Sequence, residues 1–532
     1  MSATTPTRSE AEALMEWKAS LLSAQALDSW SLPAANSTTN TISPCKWIGI
    51  SCNVFGSVTV ISLGSAGLQG KLDNLSFPSF QNLLHLNLCR NNLSGTIPAH
   101  IGTLYKLTFL DLSENKLSGS IPLDIGNLVN LNELLLSINH LDGSIPSTLR
   151  NLTNLKILYL FENQLSGSIP AELGNLKNLV ELALYCNNLT GSIPLALGNL
   201  NNITKLFLYE NQLSGSIPPE IGNLVNLTYL DMSTNLLTGS IPSTLGNLTK
   251  LTVLQIAENQ ISGSIPSTLG KLTKLTDLNL IFCQLSGSLP QEMTNMTNLS
   301  KFYLDGNNFS GYLPHLCEGG SLEVFNAVDN HFIGQIPKSF RNCTSLTRMR
   351  LNGNRLTANV SEAFGVYPSL KFMDFSDNML FGELSPNWGE CRNLTELQFS
   401  GNMITGRIPP EIGQLMQLGV LGLSSNHLVG EIPKEFGRLT SLFNLTLNDN
   451  QLFGQVPQEI GNLSNLEVLD LSMNHLSGPI PPQLGDCFKL RYLKLSGNVL
   501  NGSIPFQIGN LEYLQVLFLT TKPFRRLLQR HL

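Results

Sequence analysis

The chain has 532 residues, of which 42% are hydrophobic and only 13% are charged, whereas an ordinary soluble domain has about 25% charged residues. The formal net charge of -6 argues against a general nucleic-acid-binding protein, which would carry a basic surplus. The 44 glycines and 27 prolines recur evenly along the chain, which is typical of regular turns and not of a disordered tract.

The beginning of the chain predicts a helix and does not predict a secretion signal. Glu10, Glu12, Glu16 and Lys18 interrupt the apolar residues, so the continuous apolar run of a signal peptide is missing. Apolar residues recur at helical spacing from Glu10 to Trp30, which predicts a helical cap packed over the first repeat. No stretch of the chain approaches the ~18 apolar residues of a membrane-spanning helix, so we expect no membrane segment.

A repeat of 24 residues organises the chain from residue 57 to residue 519. Segments such as LTFLDLSENKL (Leu107–Leu117) and LEVLDLSMNHL (Leu466–Leu476) fit the frame L-x-x-L-x-L-x-x-N-x-L. The Asn of this frame recurs every 24 residues, with Cys283 in its place once and one step of 23 between Asn307 and Asn330. This period predicts a leucine-rich-repeat solenoid, an α/β-class superhelix of about 19 coils.

Each coil is predicted to contain one short strand and one turn-rich segment. The L-x-L part forms the strand, and stacked coils build a parallel sheet on the concave face. The frame Asn follows the strand, where its side chain can satisfy unpaired backbone groups. The segment after it, for example LSGSIPAELGNL (Leu165–Leu176), contains Gly and Pro, so the convex side should be extended with short 3₁₀ pieces.

The non-leucine positions of the strands should face the concave surface, and from residue 159 onward they are rich in aromatic side chains. These are Tyr159, Phe161, Tyr185, Phe207, Tyr209, Tyr229, Phe282 and Tyr303. Neighbouring exposed aromatics are typical of binding surfaces, although Tyr and Phe also favour strands for structural reasons.

Polar side chains lie among these aromatics, and they could pair with the backbone or basic groups of an extended ligand. They are Asp231, Gln255, Asn279, Asp305 and Asn326. The alternative interpretation is that each is an ordinary solvated surface residue.

Two arginines stand on one face of one predicted strand. Arg348 and Arg350 are two residues apart, so both guanidinium groups leave the strand on the same side and repel each other. Together they offer a fork of donors suited to a carboxylate. Alternatively they form ion pairs with Asp374 and Asp377, which contribute little on a wet surface.

No catalytic or metal-binding pattern is present in the sequence. The eight histidines are scattered and none has the spacing of a metal site. The G-x-S-x-G elbow and the protein-kinase motifs are missing. We therefore expect no enzymatic activity, no metal and no cofactor in this chain.

The Asn-x-Ser/Thr sequence of N-glycosylation sites occurs at about 17 places, and we expect roughly half of them to be used. A repeat rich in N-L-T and N-L-S also generates such sequences without a functional reason. The sites singled out are Asn36, Asn74, Asn151, Asn226, Asn247, Asn342, Asn393 and Asn501.

The ends of the chain depart from the repeat. Residues 1–56 form a predicted N-terminal tail and cap, and residues 520–532 are an irregular basic tail. Lys522 stands where the next frame Asn is due, so we interpret the chain as a truncated or alternatively spliced product without a C-terminal cap. The alternative is a short amphipathic cap from Phe524 to Leu532.

The segments SEAEALMEWKASL, PCKWIGISC, LSGSIPxxLGNL and LTRMRLNGNRLTANV together resemble the ectodomain of plant leucine-rich-repeat receptor-like kinases, specifically the male-discoverer-interacting group. Members of this family have a signal peptide, an ectodomain, one membrane helix and a cytoplasmic Ser/Thr kinase. The resemblance implies a role in signal transduction or defence, in which the concave face binds a secreted peptide and a shape-complementary leucine-rich-repeat co-receptor kinase docks near the C-terminal coils. It places the parent receptor at the extracellular face of the plasma membrane.

The same resemblance implies two disulfides and one ligand contact. Cys45 and Cys52 correspond to the cap disulfide of these receptors, with two free core thiols as the alternative. Cys317 and Cys343 correspond to a second bridge. Arg348 and Arg350 correspond to the R-x-R motif that holds the free C-terminus of a peptide ligand. The pairing of the other five cysteines stays open; these are Cys89, Cys186, Cys283, Cys391 and Cys487.

Two other functions remain open at this point. One is an extracellular inhibitor resembling polygalacturonase-inhibiting proteins, which also use plant repeats but are shorter. The other is a structural scaffold without a specific ligand.

Overall fold

The computed structural model describes residues 9–31 and 43–519. The chain divides into two compact units, Met1–Ser262 and Gly263–Leu532, which are described separately. The predicted tail at residues 520–532 and the glycosylation site Asn36 lie outside the described residues.

The first unit begins with an α-helix, Glu10–Ser20, whose N-cap is Ser9. The Ser9 hydroxyl accepts a hydrogen bond from the Glu12 N–H (3.3 Å), and the Glu12 carboxylate accepts one from the Ser9 N–H (3.1 Å). This reciprocal capping box fixes the start of the helix. Leu14 and Trp17 on its inner face are fully buried.

The predicted helix to Trp30 is too long, because the α-helix ends at Ser20 and only a 3₁₀ turn, Gln25–Leu27, follows. The Leu22 N–H donates to the Gln69 carbonyl at 2.7 Å. The chain therefore leaves the helix to pair with the first coil, which local periodicity does not reveal.

The main sheet of the first unit starts with Ile50–Cys52, which runs antiparallel to Val58–Ser62. Parallel strands follow, one from each coil: His85–Asn87, Phe109–Asp111, Glu133–Leu135, Ile157–Tyr159, Glu181–Ala183, Lys205–Phe207, Tyr229–Asp231 and Val253–Gln255. Their register is 24 residues, so Leu158 lies opposite Leu182. The leucines consequently stack in the interior and the residues beside them face outward.

Shorter strands and 3₁₀ turns complete the coils of the first unit. The strands are Gln69–Lys71, Asn92–Gly95, Lys116–Ser120, His140–Asp142, Ser166–Ser168, Asn188–Ser192, Gln212–Ser216 and Leu236–Thr238. The 3₁₀ turns are Leu72–Asn74, Phe77–Ser79, Ala99–Thr103, Leu123–Asn127, Ser147–Asn151, Ala171–Asn175, Leu195–Asn199, Pro219–Asn223 and Ser243–Asn247. A two-residue strand, Ser262–Gly263, lies where the second unit begins.

The second unit repeats the same arrangement. Its main-sheet strands are Asp277–Asn279, Lys301–Tyr303, Val324–Asn326, Arg348–Arg350, Phe372–Asp374, Glu396–Gln398, Val420–Gly422, Asn444–Thr446, Val468–Asp470, Tyr492–Lys494 and Val516–Phe518. Its shorter strands are Gln284–Gly287, Asn308–Gly311, His331–Gly334, Arg355–Leu356, Phe381–Glu383, Met403–Thr405, Val429–Gly430, Gln451–Gly454, His475–Pro479 and Val499–Asn501.

Helical turns line the other side of the second unit. They are the 3₁₀ turns Ser267–Lys271, Gln291–Asn295, Leu316–Gly319, Lys338–Asn342, Pro386–Glu390, Pro410–Gln414, Lys434–Arg438, Gln458–Asn462, Pro482–Asp486 and Phe506–Asn510, and one α-helical turn, Val360–Ala363. The prediction of a leucine-rich-repeat fold with a parallel sheet and short 3₁₀ pieces is confirmed. The predicted domain boundaries remain predictions.

The frame Asn supports the backbone as predicted. In one coil the Asn115 Oδ1 accepts from the Leu93 N–H at 3.0 Å, and its Nδ2 donates to the carbonyls of Leu88 (3.0 Å), Leu112 (3.2 Å) and Ser113 (3.1 Å). One buried amide thus joins its own turn to the preceding coil, where regular strand pairing has ended.

The residue before the frame Asn has a left-handed backbone in coil after coil, which the sequence analysis did not single out. The non-glycine residues with this conformation include Arg90, Glu114, Ile138, Glu162, Cys186, Glu210, Thr234, Glu258, Phe282, Asp329, Asp377, Ser425, Asp449 and Met473. Gly306, Gly353, Gly401 and Gly497 occupy the same coil position with positive φ. Glycine is the residue that adopts this conformation without steric strain.

Two disulfides join the pairs named from the sequence, Cys45 with Cys52 and Cys317 with Cys343. Cys391 and Cys487 are buried thiols. Within residues 9–31 and 43–519, no helix has the length and apolar character needed to cross a membrane.

Candidate ligand-binding surface

Six aromatic side chains form one continuous surface on the main sheet of the first unit. We call it the aromatic row; its members are Tyr159, Phe161, Tyr185, Phe207, Tyr209 and Tyr229. The rings of Phe161, Tyr185 and Tyr209 stack face to face, with centroids 4.4 and 4.3 Å apart and interplanar angles of 9° and 10°. Each of these three rings comes from a different coil. They can stack because the spacing between coils is close to the spacing of stacked aromatic rings.

The remaining members of the aromatic row attach to this stack from the strands. Tyr159 contacts Phe161 with centroids 5.7 Å apart, and Phe207 contacts Tyr185 at 6.3 Å and Tyr229 at 4.9 Å. Ala183 lies between Tyr159 and Phe207 in the register of the sheet. Its side chain is only 2% exposed, so the neighbouring side chains cover it.

A charged network that the sequence analysis missed holds one end of the aromatic row. The Tyr159 hydroxyl donates to the Glu181 carboxylate, and the Lys205 ammonium lies 2.9 Å from the other Glu181 oxygen. Burial alone would raise the pKa of Glu181, but the hydrogen bonds from Tyr159 and Lys205 outweigh it, so the pKa is lowered. Burial also raises the pKa of Tyr185, so its phenol remains a hydrogen-bond donor at neutral pH.

The two predicted polar residues of the first unit also lie on main strands. Asp231 and Gln255 end neighbouring strands, opposite each other in the register, and both are half-buried. The Asp231 carboxylate accepts the N–H of Ser233 at 3.0 Å, so part of its acceptor capacity is already used.

In the second unit the register places the predicted residues side by side. Asn279, Tyr303, Asn326 and Arg350 end successive strands. Asn326 differs from the expectation of a solvated side chain, because it is only 7% exposed and its Oδ1 has no hydrogen-bond partner in the described chain. Phe282 lies beyond its strand, at the left-handed coil position, and is 60% exposed.

The two arginines have different surroundings. The Arg348 guanidinium lies over the Phe372 ring, 4.3 Å from its centroid. Arg350 has an ion-pair partner, since its Nη2 lies 3.6 Å from the carboxylate of Asp374. The predicted pairing with Asp374 therefore exists for Arg350, whereas no ion pair between Asp377 and either arginine is found among the described residues.

Carboxylates close to Arg350 keep this part of the surface from being purely basic. Asp305 accepts the N–H of Val328 at 2.8 Å. Burial raises the pKa of Asp305, although the Val328 N–H and the charge of Arg350 act in the opposite direction. Arg348 has no anionic partner in the described part of the chain, so its guanidinium donors can bind an external carboxylate.

The glycosylation sites differ in accessibility. Asn226 is half-buried. The other singled-out sites within the described ranges are exposed: Asn74, Asn151, Asn247, Asn342, Asn393 and Asn501. Among the same residues, no three His, Cys, Asp or Glu side chains form a group that could hold a metal ion.

Comparison with known families agrees with the repeat fold. The family described as "Leucine-rich repeat region" matches residues 59–214 and 196–400, and "Leucine rich repeat N-terminal domain" matches residues 8–53. "Leucine Rich Repeat" matches residues 393–415, 465–487 and 489–511.

Curated relatives from Arabidopsis thaliana include MDIS1-interacting receptor like kinase 2, which is 44% identical over 109 residues. LRR receptor-like serine/threonine-protein kinase RGI3 is 40% identical over 99 residues. These matches cover 20% and 18% of this chain but only 10% and 8% of the two relatives. The matched part of the chain thus spans about a tenth of their length.

Solved structures resemble nearly the whole chain. The crystal structure of PEPR1–AtPEP1 has a TM-score of 0.83 and 34% identity, covering 96% of this chain and 78% of that one. The Arabidopsis receptor kinase HAESA, in complex with the peptide hormone IDA and the co-receptor SERK1, has a TM-score of 0.79 and 35% identity. The match covers 95% of this chain and 92% of that one. The plant peptide hormone receptor RGFR1 in complex with RGF2 has a TM-score of 0.65 and 31% identity. The match covers 89% of this chain and 94% of that one.

Proposed function

Because the chain belongs to the leucine-rich-repeat family, in the group that includes plant receptor-kinase ectodomains, we propose that it is an extracellular domain that recognises a secreted peptide. The similar structure of HAESA contains the peptide hormone IDA, and RGFR1 is a plant peptide hormone receptor in complex with RGF2. Both support this function over a scaffold without a ligand. The parent receptor would lie in the plasma membrane and signal through a cytoplasmic Ser/Thr kinase.

The observation that carries the proposal is the arginine pair in the second unit. Arg348 has no anionic partner among the described residues, and Arg350 shares its charge with the carboxylate of Asp374. The free C-terminal carboxylate of a peptide would bind Arg348 directly and compete with Asp374 for Arg350. The Phe372 ring under Arg348 holds the guanidinium in place, which reduces the entropy lost on binding.

The aromatic row of the first unit provides a second contact surface. Stacked rings offer large, rigid area at low cost in side-chain entropy. Peptide side chains packing on these rings would contribute most of the apolar burial. Replacement of Tyr185 and Tyr209 by alanine should then weaken peptide binding, whereas unchanged binding would favour a scaffold function.

A co-receptor kinase with its own leucine-rich repeats would dock on the C-terminal coils once the peptide is bound. The complex of HAESA with SERK1 supports this step. In the second unit, Phe488 and Tyr492 are exposed by 58% and 37%, which supplies apolar contact area outside the arginine pair. Pull-down of a candidate co-receptor ectodomain with and without peptide tests whether recruitment depends on the ligand.

The decisive experiment compares peptides with free and amidated C-termini. The secreted chain is titrated with candidate plant peptides in both forms, and we expect amidation to weaken binding about tenfold to a hundredfold, as for loss of a charge-assisted contact. Arg348→Ala should remove the difference between the two forms. Equal affinity of both forms for the unaltered protein would exclude the arginines from recognition.

The matched control is Lys494→Ala. Lys494 ends a main strand at the same coil position as Arg350 and is paired to Asp470 at 3.2 Å. Its removal deletes one positive charge, as Arg348→Ala does, but from the position of Arg350 in another coil. Binding of both peptide forms should be unchanged, which separates a local contact from a general charge effect.

A further inference from the structure

Four aspartates end main strands at the same position of the coil: Asp111, Asp231, Asp374 and Asp470. Asp231 is half-buried, and the other three are almost fully buried. Asp111, Asp374 and Asp470 are 8%, 5% and 7% exposed. Each carboxylate accepts the backbone N–H of the serine two residues later, at 3.0, 3.0 and 3.1 Å. The repeats thus supply three nearly identical local environments in one chain.

Two of these carboxylates are neutralised by a basic residue from an adjacent coil. Asp374 is paired with Arg350 at 3.6 Å, and Asp470 with the ammonium of Lys494 at 3.2 Å. A carboxylate that is more than nine-tenths buried is costly unless it is paired. In these two coils a basic residue of the neighbouring strand therefore balances the charge of the buried aspartate.

Asp111 lacks such a partner. The adjacent strands place Asn87 and Leu135 opposite it, and neither carries a charge. No Lys or Arg within residues 9–31 and 43–519 forms an ion pair with Asp111. Its carboxylate is held only by neutral donors, among them the Ser113 hydroxyl at 2.6 Å.

The other ionisable groups near Asp111 do not supply the missing positive charge. The Arg90 guanidinium is ion-paired with Glu114, with its Nε 2.8 Å from the carboxylate, and it forms no ion pair with Asp111. Burial lowers the pKa of His85, although the charges of Asp111 and Glu133 oppose this, so the imidazole is neutral at pH 7. Burial and the adjacent Asp111 raise the pKa of Cys89 to about 11, so the thiol is neutral as well.

Asp111 faces an open cavity of about 400 Å³. The cavity is polar, and its lining includes Asn87, Ser113 and the ion-paired side chains of Arg90 and Glu114 as well as Asp111. It exists partly because Gly64 has no side chain, since a Cβ there would lie 3.0 Å from the Asn87 Oδ1. The cavity therefore combines hydroxyl and amide groups with the Arg90–Glu114 ion pair and with the Asp111 carboxylate, which forms no ion pair of its own among the described residues.

An aromatic pair lies next to the cavity. His85 and Phe109 stack with centroids 4.2 Å apart and an interplanar angle of 9°. They precede Asn87 and Asp111 by two residues on the same strands, so all four side chains face the same way. Aromatic ring faces attract cations, and guanidinium groups stack on them especially well.

We propose that the cavity at Asp111 binds the cationic side chain of an arginine or lysine carried by a peptide. The positive group takes the place that Lys494 occupies at Asp470, and its aliphatic stem packs on the rings of His85 and Phe109. This site goes beyond the proposed carboxylate contact and uses residues of the first unit only. It can therefore stand or fail independently of Arg348 and Arg350.

The test uses small probes whose only difference is charge. Saturation-transfer NMR on the full chain compares acetyl-arginine methylamide with its neutral isostere acetyl-citrulline methylamide, and acetyl-lysine methylamide distinguishes the two cations. We expect the arginine and lysine probes to bind at least about tenfold more tightly than citrulline. Equal binding of arginine and citrulline, or no signal from either cation, would overturn the proposal.

The variants locate the binding at one carboxylate. Asp111→Asn keeps an oxygen that accepts the Ser113 N–H but removes the charge, and it should abolish the preference for the cationic probes. Asp470→Asn is the matched control, because Asp470 already has its partner Lys494, and it should leave probe binding unchanged. A preference that survives Asp111→Asn would contradict the proposal.

Leu135→Lys provides a gain-of-contact test that does not remove the carboxylate. Residue 135 lies opposite Asp111 as Lys494 lies opposite Asp470, and Leu135 is half-buried on the sheet surface. The new ammonium should reach Asp111 and block the probes. Unchanged probe binding in this variant would show that the cation does not bind at Asp111.

Discussion

At the scale of single residues, the frame Asn accounts for much of the hydrogen bonding between coils. Asn235 is 6% exposed; its Oδ1 accepts the Leu213 N–H at 2.9 Å, and its Nδ2 donates to three carbonyls, including that of Leu208 at 3.1 Å. Asn235→Ala leaves these buried groups unpaired and should destabilise the coil by about 2–3 kcal/mol. Faster hydrogen exchange of the Leu213 amide measures the effect.

The control for this variant is Asn188→Ala, which changes an exposed Asn on the outer strand Asn188–Ser192. Hydrogen exchange of the amides in the coil should be the same as in the unaltered protein, because no buried group loses a hydrogen-bond partner. An equal response to both substitutions would mean that the frame Asn has no special role.

Ile138 is a β-branched residue in the left-handed coil position, with a φ of 56°. Such a conformation is strained for a branched side chain, and the side chain is 38% exposed, so little packing is lost on its removal. Ile138→Gly should therefore stabilise the first unit by about 0.5–1 kcal/mol after the greater flexibility of unfolded glycine is subtracted. Thermal unfolding followed by circular dichroism measures the change.

The opposite substitution is available in the second unit. Gly353 has a φ of 68° at the equivalent coil position, and a Cβ there would lie 2.2 Å from the Asp329 Oδ1. Gly353→Ala should lower stability, both through backbone strain and through displacement of the Asp329 side chain. If both substitutions changed stability in the same direction, strain at this position would not be the cause.

Asp305 should make peptide binding depend on pH. Burial raises its pKa, so it becomes protonated at a higher pH than an ordinary Asp, whereas a peptide C-terminus stays ionised down to about pH 3.5. Protonation removes a negative charge that competes for Arg350. Affinity for a peptide with a free C-terminus should therefore rise as the pH falls through the raised pKa of Asp305, and calorimetry at several pH values measures it.

Asp305→Asn keeps the acceptor for the Val328 N–H and removes the titration. Its affinity for the peptide should be higher at pH 7 and should change less with pH than that of the unaltered protein. A pH profile that Asp305→Asn leaves unaltered would assign the dependence to another group.

At the scale of elements, the N-terminal helix docks through the Glu10 carboxylate, whose pKa is raised by burial. Glu10 accepts the Val58 N–H at 2.9 Å, and burial raises its pKa although this hydrogen bond lowers it. Because the pKa is raised in the folded state, the contribution of Glu10 to stability is fully present below the ordinary Glu pKa of about 4.3. This contribution is lost as the pH rises through the raised pKa. Docking of the helix should weaken over that range.

Glu10→Gln should remove this pH dependence, because the amide oxygen still accepts from Val58 but carries no charge. Limited proteolysis after the helix should be slower in the variant than in the unaltered protein at pH 7, and similar in both at pH 4. Identical cleavage at both pH values would show that Glu10 does not control docking.

The strands could be predicted from the sequence because the L-x-L frame repeats without interruption, and each main strand lies where the frame puts it. The helix end could not, since Leu22 leaves the helix for a contact with Gln69, which is distant in sequence. The left-handed position could have been found from the glycines that recur before the frame Asn. The difference between Asp111 and Asp470 needed the neighbouring coils, because the local sequence D-L-S is the same in both.

The candidate site was predictable to a similar degree. The repeat frame identified the side chains that face outward, including the aromatic row and the arginine pair. It gave no information on how these side chains pair with each other. The ring under Arg348 and the carboxylate that holds Tyr159 depend on rotamers in adjacent coils, which one sequence does not specify.

At the scale of the whole molecule, the low share of charged residues leaves solubility dependent on other surface groups, and glycans would provide them in a secreted protein. The glycosylation sequences fall into two coil positions. Asn151, Asn247 and Asn342 end 3₁₀ turns, are exposed, and have side-chain amides without a hydrogen-bond partner in the described chain. Asn226 and Asn393 instead donate to carbonyls of the preceding coil, at 2.9 and 2.7 Å.

A glycan replaces one amide hydrogen of Asn and needs free space around the nitrogen. We therefore expect high occupancy at Asn151, Asn247 and Asn342, and low occupancy at Asn226 and Asn393. Mass spectrometry of peptides from the secreted chain measures occupancy at each site. Asn247→Gln should remove one glycan from the intact mass, whereas Asn226→Gln should leave the mass of the glycans unchanged; equal losses would show that hydrogen bonding in the folded coil does not select the sites.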